Sequence, residues 1–216
     1  MVKVTGGPGI IVYTYIRIHR ISLMNKEKLS EFLRSTNLVS FSAAIEIADH
    51  FTHKIFPKNQ FLLIEGKISD DYLFLEKGYM RAFAHDTDGN EVTTNFCCPG
   101  DIVLEVSSFF NRTRSKENIQ ALSDCEGWSI TYEQLNNLFH ALPEFREFGR
   151  ATLVKGFATL KIRMLAMITE TAEERYEHLL KNNPEIFQQA SLKNIASYLG
   201  ITDTSLSRIR KDLARK

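Results

Sequence analysis

Residues 191–213, SLKNIASYLGITDTSLSRIRKDL, decide the reading of the chain. Ser191 offers an N-cap to a short helix whose apolar face is Leu192, Ile195, Ala196 and Leu199. Gly200 stands where the chain must turn sharply, a place for the left-handed backbone that glycine adopts without a Cβ penalty. Ile201 fills the corner, and Thr202 can cap a second helix with Leu206, Ile209 and Leu213 on its apolar side. The opposite side carries Asp203, Thr204, Ser207, Arg208, Lys211 and Arg215. Small Ala196 permits a close helix crossing, and Leu206, six residues after Gly200, plugs the gap. Two short helices joined by a glycine turn, the second polar and basic outside, form a DNA-reading helix–turn–helix. The bland alternative is a helical hairpin that only packs.

Charge favours the first reading. Residues 191–216 hold Lys193, Arg208, Arg210, Lys211, Arg215 and Lys216 against Asp203 and Asp212, a net of +4. The whole chain of 216 residues has 27 basic and 26 acidic side chains and carries +1, so the other 190 residues carry −3. A near-neutral total thus conceals a basic patch where phosphates would lie.

Upstream of this segment, Pro143 suits a first helical position, and nothing breaks a helix until near Thr169. Leu153, Phe157, Leu160, Met164 and Met167 are spaced 4, 3, 4, 3, a heptad seam of the kind that joins two helices. A second apolar row, Val154, Ala158, Ile162, Leu165 and Ile168, adjoins it. The expectation is that one face packs on the chain's own β-domain and the other on a partner chain, with a single buried core helix as the alternative. A third helix is expected from about 172 to 181, ended by Asn182-Asn183-Pro184.

From about Lys54 to Tyr132 the texture is β: short runs at 61–64, 72–76, 80–85 and 92–97, rich in Phe, Leu, Val and Tyr and broken by turn residues. Residues 86–90, DTDGN, form a hairpin signal in which Gly89 supplies positive φ. Many short strands imply a sandwich or roll. Residues 26–53 favour helices, with Leu29, Phe32 and Leu33 on one and Ser42 as a cap for another carrying Ile45, Ile47, Ala48 and Phe51. Residues 1–23 hold Lys3, Arg17 and Arg20 and no acid. They are read as an upstream extension, with a real edge strand as the alternative, since they lack the features of a signal peptide and the length of a membrane helix. No membrane partner is expected. Three cysteines cannot build a disulfide framework, which points to a reducing, cytoplasmic compartment. Hydrophobic content of 44% and charged content of 25% exclude a disordered or fibrous chain.

A β-roll, a long helix and a helix–turn–helix in this order resemble the cyclic-AMP-receptor/FNR (Crp/Fnr) family of bacterial transcription regulators. The resemblance covers about residues 26–213. It rests on FPKNQFLLIEGKISDDYLFLEKGYMRAF, PGDIVLEVSSF and ERYEHLLKNNPEIFQQASLKNIASYLGITDTSLSRIRK. It implies an α+β fold: a cyclic-nucleotide-binding-type β-roll (jelly roll) with flanking helices over 24–142, a dimerisation helix over 143–169 and a DNA-binding domain over 170–216. The short 183–191 connection and the short stretch after the recognition helix imply little or no wing. The resemblance also implies a homodimer on a two-fold symmetric promoter site, with RNA polymerase as a further partner. By position, Arg208 looks like the arginine that reads a base edge, guanine by preference. Thr202, Asp203, Thr204, Ser205 and Ser207 would tune sequence choice, and Lys211 would contact phosphate. Thr204 stands where many members carry a glutamate, a departure that puts the family's usual site in doubt.

The family's phosphate cassette has a Gly-Glu-Leu turn followed by Arg-Ser-Ala. Here the first part reads Leu104-Glu105-Val106 and the second falls at Ser115-Lys116-Glu117, with Arg114 one place early. Glu105, Val106, Arg114 and Ser115 are the candidate effector residues. Leu104 replaces the glycine, and Glu117 puts negative charge where a phosphate needs none, so cyclic nucleotide is disfavoured as ligand. Cys97, Cys98 and Cys125 are too few for an iron–sulfur cluster and lie within the β-roll, and the two adjacent ones face opposite sides of a strand, which suits neither a cluster nor a zinc site. His50 and His53 have helical spacing without a further ligand, and Trp128 reads as core. Two other functions compete: a sensor module responding to cyclic AMP or another effector without DNA work, which the intact helix–turn–helix disfavours, and a cupin-like metalloenzyme. The latter needs a His-x-His, and none occurs; neither does a P-loop, a GxGxxG or a Ser/His/Asp arrangement. No catalytic or metal-ligating residue is therefore expected.

Overall fold

Alternation of buried side chains on both faces of one sheet organises the N-terminal part of the molecule. The computed structural model describes residues 26–215; the expectation for residues 1–23 falls outside them. Helices α1 (Glu27–Arg34) and α2 (Phe41–Asp49) precede eight strands: β1 (Thr52–Phe56), β2 (Phe61–Leu63), β3 (Asp71–Lys77), β4 (Met80–His85), β5 (Glu91–Cys97), β6 (Ile102–Val103), β7 (Asn118–Ala121) and β8 (Cys125–Thr131). Helix α3 (Val106–Asn111) interrupts them between β6 and β7. The strands form two antiparallel four-stranded sheets, ordered β1-β8-β3-β6 and β2-β7-β4-β5.

In β3, Tyr72 and Phe74 face a core shared with the helices, while Leu73 and Leu75 face the core between the sheets. A strand covered on both faces reads as a continuous apolar run, which Tyr72 to Leu75 is. Trp128 of β8 is buried in the helix-covered core, as expected, and its indole N–H donates to Glu76 at 2.7 Å. In the second sheet Met80, Ala82 and Cys97 point inward, while Phe96 points outward into a third core. Cys97 and Cys98 accordingly part company: Cys97 joins the inter-sheet core and Cys98 packs outside it. The β4–β5 hairpin closes as read, with Asp86 Oδ1 accepting from the amides of Asp88 (2.9 Å) and Asn90 (2.8 Å) and Gly89 at φ +81°.

Two helices follow the roll, α4 (Tyr132–Ala141) and α5 (Pro143–Thr169), then α6 (Ala172–Asn182), α7 (Ile186–Gln189), α8 (Leu192–Tyr198) and α9 (Asp203–Leu213). Helix α4 opens with a capping box in which Thr131 and Gln134 satisfy each other's backbone amides. In α5 the buried residues are Phe145, Phe148 and Gly149, all in its first two turns. Three readings of the sequence need correction. Ser40, not Ser42, caps α2 through a bond from the Ala43 amide. His50 ends α2 while His53 lies in β1 beside Trp128, so the pair shares no helix face. Neither apolar row of α5 is buried on the chain's own β-domain, where one of the two was expected to pack: Val154, Ile162, Leu165 and Ile168 are exposed, Ile168 by 73%, as are Leu153, Phe157, Leu160, Met164 and Met167.

Candidate nucleic-acid interface and effector pocket

The last helix pair takes the geometry its residues demand. Ser191 caps α8 by accepting the Asn194 amide at 3.2 Å, and Thr202 caps α9 by accepting the Ser205 amide at 3.2 Å. Gly200 sits at φ +68°, and a Cβ there would come within 2.6 Å of Met167 Cε. The Leu199 carbonyl, left without a helical partner at the end of α8, accepts two bonds from the Arg175 guanidinium at 2.9 and 3.2 Å. Ile195, Ala196, Leu199 and Leu206 are buried together, with Ile201, Ile209 and Leu213 packed around them.

Burying that side of α9 leaves Asp203, Thr204, Ser207, Arg208 and Lys211 exposed on the other. Thr204, Arg208 and Lys211 follow at intervals of four and three, one face of a helix. Ser205 is half-buried, and its hydroxyl accepts from Thr202 at 3.0 Å. Among the described residues 170–215 none is in a strand, and α7 occupies the connection before α8.

The helix–turn–helix is docked on the roll. Phe96 of β5 is buried in the same core as Tyr176, Ile195 and Leu206, and its ring lies 5.0 Å from that of Tyr198. The Thr93 N–H donates to Ser197 Oγ at 2.7 Å, Asn183 Nδ2 contacts Cys98 Sγ at 3.4 Å, and Tyr79 Oη donates to Glu185 at 3.3 Å. Arg163 of α5 joins all three parts. Its guanidinium donates to the Thr94 carbonyl and, at 3.3 Å, to the Tyr198 carbonyl, and lies 4.0 Å from the centre of the Tyr198 ring. Sequence reasoning missed Arg163; its signal was a lone cation inside the apolar run IRMLAMI.

Three of the four candidate effector residues bond to backbone groups outside the set. The Glu105 carboxylate caps α3, accepting the amides of Ser107 at 3.0 Å and Ser108 at 2.6 Å. Val106 is exposed beside it. Arg114 donates to the Gly66 carbonyl at 2.9 Å. Ser115 is buried, its hydroxyl donating to the Glu117 carbonyl at 2.8 Å. Leu104 is turned into the helix-covered core. Burial raises the Glu117 carboxyl above the usual carboxylate range, and the negative Glu105 raises it further, while Arg163 opposes the shift. A cavity of about 230 Å³ lies elsewhere, between residues 61–64 and 67–71. Among the described residues no cluster could hold a metal ion, and no helix is long and apolar enough to cross a membrane.

In α5, Leu153, Phe157, Leu160, Met164 and Met167 form an exposed stripe, Phe157 by 71%.

Residues 53–141 match the cyclic nucleotide-binding domain family. Among characterised relatives, the transcriptional activator protein Anr of Pseudomonas protegens is 25% identical over 187 residues, which are 81% of this chain and 75% of Anr. The Anr of Pseudomonas aeruginosa is 26% identical over 165 residues, 70% of this chain and 66% of that protein. Among solved structures, FixK2 from Bradyrhizobium japonicum superposes with a TM-score of 0.65 at 19% identity, covering 76% of this chain and 85% of FixK2. CLP of Xanthomonas campestris, a c-di-GMP-responsive global regulator, superposes at 0.62 with 20% identity, covering 78% and 89%. The two Anr proteins are transcriptional activators, and CLP links cell–cell signalling to virulence gene expression. The chain thus joins a cyclic-nucleotide-type roll to a helix–turn–helix. Over residues 53–141 the chain is a cyclic nucleotide-binding domain, and along most of its length it is similar to transcriptional activators such as Anr.

Proposed function

We propose that the chain is a homodimeric, sequence-specific DNA-binding transcription regulator whose roll has departed from ordinary cyclic-nucleotide recognition. The observation that carries the DNA-binding reading is the exposed polar and basic face of α9, set on a helix pair whose other side is buried. In this reading the N-terminal residues of α9 meet base edges, Arg208 addresses guanine and Lys211 a phosphate. The apolar stripe from Leu153 to Met167 supports dimerisation, because an exposed seam of this spacing is stabilised by burial against a second copy. Two-fold pairing would place two recognition helices on two half-sites.

The pocket reading rests on residues already engaged. The Glu105 carboxylate accepts the α3 amides, Arg114 donates one N–H to Gly66, and Glu117 adds a second acid near Glu105. A cyclic phosphate would meet this acidic pair, with Arg114 held toward Gly66 by one of its donors. Whatever enters the roll can act on DNA binding through β5 and Arg163, which connect the sheet to α8.

Selecting bound duplexes from a random DNA pool tests the DNA reading: it expects an inverted repeat, and failure to enrich any sequence would overturn it. Calorimetric titration with cyclic AMP, cyclic GMP and c-di-GMP tests the pocket. No heat is expected from the two mononucleotides, and micromolar binding of either would contradict the reading.

A further inference from the structure

A hydroxyl network at the start of α9 determines which part of Thr204 is available to a base. Thr202 Oγ1 accepts the Ser205 amide at 3.2 Å and donates its proton to Ser205 Oγ at 3.0 Å. A hydroxyl has one proton and two lone pairs. In the 2.9 Å contact between Thr202 Oγ1 and Thr204 Oγ1 the donor is therefore Thr204. The Thr204 hydroxyl is turned back toward the cap and has no proton left for a base. The other branch of the side chain, its γ-methyl, remains free on an exposed residue. Thr204 also stands one turn before Arg208 on the same face, so the two side chains fall on neighbouring base pairs.

We infer that Thr204 reads the 5-methyl group of a thymine next to the base pair addressed by Arg208, an inference that rests on the DNA-binding function proposed above. Thymine alone offers a methyl group in the major groove, and threonine's own methyl is a fitting apolar contact for it. Without a free proton Thr204 cannot donate to the acceptors of guanine or to thymine O4. Its lone pairs can accept from the amino group of adenine or cytosine, and those bases are the competing outcomes.

The test starts from a duplex selected by the parent protein and replaces its thymines one at a time with deoxyuridine, which differs only by the missing methyl. At one position in each half-site deoxyuridine should weaken the parent by about fourfold, the effect of burying one methyl group. Thr204→Ser, which keeps the hydroxyl for the cap, should bind the thymine and deoxyuridine duplexes alike. Thr204→Val, which keeps the methyl, should still prefer thymine. Equal binding of both duplexes by the parent at every position overturns the inference, and this arm needs no variant to fold. Adenine or cytosine selected at that position, or discrimination that survives in Thr204→Ser, overturns it too. A pool that yields no sequence at all would instead overturn DNA binding itself.

Discussion

Replacing Arg163 with methionine removes a guanidinium that joins the long helix to strand β5 and to the helix–turn–helix while keeping an apolar stem of similar length. Arg163 is half-buried and donates to the carbonyls of Thr94 and Tyr198, the second at a long 3.3 Å, and lies 4.0 Å from the Tyr198 ring centre. A hydrogen bond from a charged donor contributes about 1.5–3 kcal/mol, less when long and part-exposed. A part-exposed cation–π contact adds about 0.5–1 kcal/mol. Together the substitution should cost the junction about 2 kcal/mol, which multiplies the undocked fraction about thirtyfold at one decade per 1.4 kcal/mol. Native-state amide exchange reads this directly. The Thr93 N–H donates to Ser197 Oγ across the junction and reports its opening. The Ala121 N–H donates to the Gln60 carbonyl within the roll and serves as the control. Arg163→Met should accelerate exchange at Thr93 and leave Ala121 unchanged. Parental exchange at both sites, or equal acceleration at both, would refute the idea that Arg163 fastens the helix–turn–helix to the sheet.

Three further outcomes follow from the packing. Phe157→Glu puts a charge in the middle of the exposed α5 stripe and should give a monomer in sedimentation, with the thermal transition of the roll retained. Gly200→Ala forces a Cβ onto a backbone at φ +68° and against Met167 Cε, and should lower stability by about 1–2 kcal/mol in chemical denaturation. Burial, aided by Glu105, raises the folded-state Glu117 carboxyl. Above the ordinary glutamate range, near about pH 4.3, the folded chain therefore holds a proton that the unfolded chain releases. That share of stability is complete below this range and is lost as pH rises through the raised value. Glu117→Gln should flatten the decline in melting temperature over that window; a slope identical to the parent's would show that Glu117 does not titrate there.

The sequence was legible where short-range chemistry decides the outcome. Pro143 and the unbroken run to Thr169 marked α5 to its ends, and Ser191, Gly200 and Thr202 each took the cap or turn read for them. The β3 run and the DTDGN hairpin were equally local signals. Helix α3 was missed because its cap is a glutamate side chain and its length is only six residues, too few for a periodic pattern. Helix α4 carried a readable signal, Thr131 followed three residues on by Gln134, hidden by the strand texture of the residues just before it. Choosing Ser42 over Ser40 was a register question that two serines in SFS leave open. The surroundings of α5 lie beyond local reading altogether. Its two apolar rows look equivalent in sequence, and only the placement of the roll reveals that neither is covered by it beyond Gly149. Likewise the roles of Arg163 and Ser197 arise from contacts 69 and 104 residues away in the chain.

The central claim, that the exposed face of α9 reads DNA, is tested most directly by fluorescence anisotropy of the parent and Arg208→Ala on a selected duplex and a scrambled one. Loss of a bidentate base contact should weaken binding to the selected duplex by about 1–3 kcal/mol per half-site, leaving weak binding to the scrambled duplex almost unchanged. An Arg208→Ala protein that binds the selected duplex with parental affinity and preference would contradict the account.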